Sequence, residues 1–179
     1  MTKSEIALIN KEAVNVPMRV LLITNEQDYL ILREKSSDIK DIVNNKDLQL
    51  LIDRLKVTLS IENGVGIAAP QVGINKNIFL FMRIDKPGNP VQVAINPRIV
   101  AHSEETVCFE NDGCLSVPDM SGNSNRWTWV DVEYRDQNNN LIKERLDGYS
   151  RRSNYTGVIF QHEYDHLQGT LFIDKLCDK

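Results

Sequence analysis

The chain is poor in the features that mark several protein classes. Its 179 residues contain no apolar run near the ~18 residues of a membrane-spanning helix, and the stretch Met1 to Asn10 does not read as a signal peptide. Basic residues are not in excess: 21 Lys and Arg stand against 25 Asp and Glu, a net charge of -4. That balance, with a pI near 5.4, argues against broad binding to nucleic acid or anionic membranes, which needs clustered cations. Three cysteines are too few for a disulfide framework and suggest a reducing compartment, with the cytoplasm as default. Cys108 and Cys177 read as small apolar core residues. Repeats, linkers and low-complexity tracts are absent. What remains is an ordinary globular composition, 41% hydrophobic and 26% charged. It is long enough for one domain, residues 1–179, that buries roughly two-thirds of its unfolded surface.

The periodicity changes along the chain. "MRVLLIT" (18–24) and "YLILRE" (29–34) read as short apolar segments between turns. Leu48, Leu51, Leu55 and Leu59 then recur at spacings of three and four, the stripe of an amphipathic helix stopped at Asn63-Gly64. Strand-like runs follow at "NIFLFMRI" (77–84) and "VQVAINP" (91–97). "WTWVDVEYR" (127–135), the polar turn 136–140 and "LIKERL" predict a β-hairpin with Thr128, Val130, Val132 and Tyr134 on one face. A second helix is predicted over Tyr155 to Gln168, ended by Gly169. Strands grouped apart from helices indicate an α+β domain of antiparallel sheet.

"NGVGIAAPQVG" (63–73) contains Gly64, Gly66 and Ala69 in the pattern G-x-G-x-x-A, with Asp85 downstream as a ribose partner. A dinucleotide loop, however, follows a strand and opens a helix, so that the pyrophosphate meets a helix N-terminus. Here a helix precedes, and Pro70 and Gly73 disfavour one afterwards. Nucleotide binding is therefore rejected in favour of a tight loop.

"QHEYDH" (161–166) carries the strongest chemical signal. On a helix, His162 and His166 share one face at a spacing that lets both imidazoles meet one metal ion, and Glu163 sits beside them as a proton-carrying carboxylate. The alternative is a buried polar pair, which would leave two imidazoles without partners. The remaining histidine, His102, lies in polar "AHSEE" and reads as a surface residue. A third histidine at the zincin spacing is excluded, since Phe172 stands there. Cys114 in "DGCLSVP" is the best remaining ligand. A Cys and two His leave a fourth position open, as in a catalytic site.

Three stretches in this order, "GVGIAAPQ" (64–71), "DGCLS" (112–116) and "QHEYDH" (161–166), resemble the bacterial-type peptide deformylase family, from about "LREKSSDI" to "GTLFIDKL". The resemblance implies a hydrolase of protein biosynthesis and N-terminal methionine processing, which removes the formyl group from the N-formylmethionine of new bacterial polypeptides. It implies Cys114, His162 and His166 as ligands of one divalent metal, typically Fe(II), with Zn, Ni or Co as substitutes. It implies attack of metal-bound water with Glu163 as general base and acid. Gln71 and the Leu115 N–H would hold the oxyanion. Val65 and Gly66 would pair with the substrate main chain, Gly113 would line its path, and Leu115, Ile159 and His162 would wall the methionine pocket. It further implies N-formylmethionyl nascent chains as partners, at most weak ribosome proximity and a monomer.

The chain departs from the family pattern at several places. Asp112 replaces the usual Glu before Gly-Cys-Leu-Ser. Asn154 and Gly157 precede "QHE", and Gly157 predicts a looser first helical turn. Ser121 stands where a basic residue is common, with Arg126 as the nearest arginine. Alternatives are a related small peptidase or deacylase, a catalytically impaired homologue, and a structural metal module with Cys108 as fourth ligand.

Overall fold

The computed structural model describes residues 1–178. Three helices, α1 (Lys3–Ile9), α2 (Glu26–Leu32) and α3 (Lys46–Ile61), precede most of the sheet structure. The predicted leucine stripe is α3, and its end follows from hydrogen bonding. Asn63 takes a left-handed φ of 52°, and the Gly64 N–H reaches back to the Leu59 carbonyl at 3.1 Å. The helices α1 and α2, seven residues each, escape the periodicity argument because they are so short. "YLILRE" falls mostly within α2.

The strands are β1 (Gly66–Ala68), β2 (Ile78–Met82), β3 (Val91–His102), β4 (Thr106–Cys114), β5 (Val117–Trp127), β6 (Trp129–Arg135) and β7 (Leu141–Asp147). Helix α4 (Thr156–Leu167) follows. Five strands pair antiparallel in the order β1-β2-β3-β6-β7, and β4 and β5 form a separate hairpin. The predicted hairpin is β6 and β7, with Val130, Val132 and Tyr134 buried as expected, whereas Thr128 is half-buried between β5 and β6, where the run 127–135 breaks. No helix among the described residues is long and apolar enough to cross a membrane.

Strand β2 explains why its sequence is apolar throughout instead of alternating. Ile78 and Leu80 pack with the α3 leucines on one face. Phe79 and Phe81 pack on the other against Phe160 of α4, with ring centroids 4.9 and 5.2 Å away in edge-to-face contact. The sheet is thus held between α3 and α4. Helix α4 also approaches the end of β7 so closely that a Cβ on Gly157 would lie 3.0 Å from the Asp147 carbonyl oxygen. Gly157 is therefore a packing requirement, and its turn is buried and hydrogen-bonded instead of loose.

The cysteine expectation fails. Cys108 and Cys177 form a disulfide, with Cα atoms 5.9 Å apart across a sequence separation of 69. They meet because the C-terminal segment returns to the β4–β5 hairpin, where the Cys177 N–H donates to the Asn123 carbonyl at 3.0 Å. One bridge needs no framework, so the cysteine count no longer argues for a reducing compartment. Closing so long a loop restricts the unfolded chain, which typically stabilises a protein by about 2–4 kcal/mol. Cys177→Ser should therefore melt lower than the oxidised wild type, and the gap should close when a dithiol reductant is added to both. Equal melting under oxidising conditions would refute a stabilising bridge.

Candidate active site

Two local structures bring the functional side chains together. Helix α4 presents His162 and His166 one turn apart, their ring centroids separated by 5.2 Å. The β4–β5 hairpin turns at Leu115-Ser116, between paired Cys114 and Val117, and carries Cys114 to the helix from a residue 52 positions away. The Cys114 Sγ lies 3.2 Å from His166 Nε2. Donor atoms of Cys114, His162 and His166 all fall within 4.8 Å of one another, the only such group of three among the described residues. His102 stays outside and stacks on Trp127 at 3.9 Å. Phe172, in the place of a zincin's third histidine, stacks beside His162 at 6.3 Å.

The donor set fits a divalent metal. Thiolate and imidazole suit Fe or Zn. His162 uses Nδ1 on Asp112 Oδ1 at 3.0 Å, which leaves Nε2 for an ion. Cys108, bonded to Cys177, is unavailable as a fourth ligand, so the closed structural site is ruled out. Three protein donors leave the open position that chemistry needs.

Asp112 is held from two further sides. Ser124 Oγ donates to its Oδ2 at 2.5 Å and Arg126 Nη2 at 2.7 Å. Arg126 also donates through Nη1 to Asp165 Oδ2 at 2.6 Å, and Lys175 covers the other oxygen of Asp165 at 2.7 Å. Burial opposes ionisation of Asp112, but the His162 and Arg126 charges and these bonds outweigh it and hold the carboxyl well below its usual range. Arg126 itself is 1% exposed, so the arginine nearest to Ser121 in sequence does not stand in for an exposed basic residue there. Ser121, exposed and paired with Gly113 across the hairpin, does not supply one either. The chain's Asp112 does reach His162 despite being one methylene shorter than Glu.

Glu163 is buried beside the donors, and its Oε2 has no hydrogen-bond partner among the described residues. Burial is the main reason its carboxyl is raised to about 7, with His162 pulling the other way. Strand β1 packs directly on it: a Cβ at Gly66 would come 2.3 Å from Glu163 Oε1. The glycine that suggested a nucleotide loop is there to admit this carboxylate.

Gln71 sits in the 3-10 turn Ala69–Val72, just after β1. Its Oε1 accepts the Ala68 N–H at 2.8 Å, so its amide nitrogen is turned inward, 3.3 Å from Ser116 Oγ and 3.5 Å from Cys114 Sγ. One end of the side chain anchors it while the other offers N–H groups to the site. Gln71, Asp112, Cys114, His162 and Glu163 open on a cavity of about 370 Å³. Val65, Leu115, Phe109, Tyr155, Val158 and Ile159 supply its apolar wall. Gly66 and Gly113 also line it. Leu115 and Ile159 were expected there; Phe109, Tyr155 and Val158 were missed, because nothing local marks a residue of β4 or the first turn of α4 as wall.

Known proteins resemble this chain in sequence and fold. Residues 18–179 match the family model described as polypeptide deformylase. Peptide deformylase 2 of Nostoc sp. is 41% identical over 152 residues, covering 81% of this chain and 80% of that protein. The crystal structure of peptide deformylase from Thermotoga maritima superposes with a TM-score of 0.78 at 30% identity, covering 91% of this chain and 99% of that one. A class I type b peptide deformylase from Acinetobacter baumannii, solved with Met-Ala-Ser bound, gives 0.77 at 32% identity, over 90% and 99% of the two chains. With this likeness in sequence and fold, the chain belongs to the polypeptide deformylase family.

Proposed function

We propose that this chain hydrolyses the formyl group from the N-terminal formylmethionine of new polypeptides, yielding formate and a free α-amine. The observation that carries this reading is the grouping of the Cys114, His162 and His166 donors at one apolar-walled cavity, which Cys114 and His162 line together with buried Glu163 and inward-turned Gln71. Family membership supplies the reaction, and Fe(II) is the ion it favours, with Zn, Ni or Co as substitutes.

An ion bound by Cys114, His162 and His166 would supply Lewis acidity and an acidified water, of pKa towards ~7. Glu163 accepts the proton of the attacking water and delivers it to the leaving nitrogen, so one carboxyl is base and then acid. Gln71 donates an amide N–H to the formyl oxygen as negative charge develops there, with the Leu115 N–H as second donor. Asp112 fixes the His162 ring through Nδ1, and Arg126 fixes Asp112. The apolar wall receives the methionine side chain. Strand β1 lies at the edge of its sheet, so the side away from β2 is open to an extended peptide at Val65 and Gly66. The bound Met-Ala-Ser of the Acinetobacter baumannii protein supports a tripeptide as substrate analogue.

The test is formate release from formyl-Met-Ala-Ser by protein prepared without oxygen and supplied with Fe(II). Formate from this peptide, with no acetate from acetyl-Met-Ala-Ser and no cleavage of Met-Ala-Ser, is the expected result. Acetate release or peptide cleavage at comparable rates would move the assignment to a deacylase or peptidase. No turnover of any of the three by folded, metal-loaded protein would sink it.

A further inference from the structure

The cavity mouth carries one cation. Among the described lining residues, Arg151 is the only Lys or Arg, and it is exposed. It belongs to the segment between β7 and α4, yet it is tied to β4. Its Nε donates to the Glu110 carbonyl at 2.9 Å, and its Nη2 donates to the Asn111 carbonyl. These two carbonyls lie where the β4–β5 register breaks, between Phe109 and Asp112. The guanidinium carbon also sits 4.8 Å from the Phe109 ring centroid and 5.2 Å from that of Tyr155. An arginine so braced loses little further freedom when it meets a ligand. Its Nη1 takes no hydrogen-bond partner among the described residues.

The acidic residues of the cavity do not cancel this charge at the mouth. Asp112 and Glu163 are each 4% exposed, and Asp112 is already engaged by His162, Ser124 and Arg126. A positive group therefore faces solvent where a substrate chain leaves the cavity. Asn111, which anchors it, precedes Cys114 by three residues of β4, at most about 10 Å along a strand. An extended peptide with its formyl carbon at Cys114 reaches that far with its second or third residue.

We propose that Arg151 is a specificity-determining residue that favours formylated peptides with a carboxylate on the second or third residue. This rests on the deformylase reading of the same site. An exposed ion pair changes binding by about two- to fivefold, so the effect is one of preference among substrates.

The experiment compares formyl-Met-Ala-Asp-amide with formyl-Met-Ala-Asn-amide, and formyl-Met-Asp-Ala-amide with its Asn counterpart, at low salt. Wild type should prefer the Asp member of at least one pair by about two- to fivefold in kcat/KM, through KM, and lose the preference at high salt. Arg151→Gln should bring that ratio to about one, and Arg151→Lys should keep part of it. If Arg151 only braced the loop, Arg151→Gln would slow both members alike and leave the ratio unchanged, which overturns the proposal. So does a wild type with no preference in either pair. Absence of formate from all four peptides would instead defeat the deformylase reading, and this inference with it.

Discussion

Glu163→Gln should lower kcat for formate release by about 10²–10⁴, the usual contribution of a positioned acid–base group. The amide keeps the size of the side chain and its place against Gly66, but it can neither accept the proton of water nor hand one to the leaving amine. Because the proposed metal donors are Cys114, His162 and His166, metal content should be unchanged. KM should change little, since Glu163 is not part of the apolar wall. Kinetics with metal analysis on the same preparation would check this. A variant with bound metal and kcat within tenfold of wild type would show that the proton travels by another group.

Arg126→Met should destabilise the fold by about 3–5 kcal/mol, the range for removing one partner of a buried ion pair. Arg126 bridges Asp112 and Asp165 while 1% exposed, so its loss strands two carboxylates. Lys175 would still cover one oxygen of Asp165, whereas Asp112 would lose its guanidinium and with it the firm hold on His162 Nδ1. Metal affinity should fall by about 10–100-fold, as when a group behind a ligand is lost. Urea unfolding and metal competition read the two effects separately. Arg126→Lys should recover only part of either, because an ammonium cannot reproduce the fork that meets both carboxylates and Ser124. Unfolding within 1 kcal/mol of wild type would refute the bridging role.

The elements legible in the sequence are those with a long regular period. The leucine stripe of α3, the alternation of β6 and the apolar run of β2 all state their structure locally. Strands β4 and β5 were missed for the opposite reason. "TVCFENDGC" mixes polar residues and glycine over a register break, so no period-2 pattern survives. The short α1 had a signal that went unread: Thr2 and Glu5 form a capping box, each side chain bonded to the other's backbone N–H.

The site divides in the same way. The sequence by itself determined that His162 and His166 share a helical face with Glu163 beside them, because the pitch of a helix makes a spacing of four a contact. It also determined, through three motifs, the family to which those residues belong. Only the tertiary structure decided that Cys114 meets the histidines, that Asp112 holds His162, and that Arg126 is a buried brace instead of a substrate contact. It alone decided that Cys108 and Cys177 are bonded, that Gly66 makes room for Glu163, and that Arg151 stands at the cavity mouth. These facts depend on which distant segments share a dry interior. Burial raises Glu163, locks Arg126 between carboxylates and joins chain ends to strands, and no residue's neighbours in sequence record it.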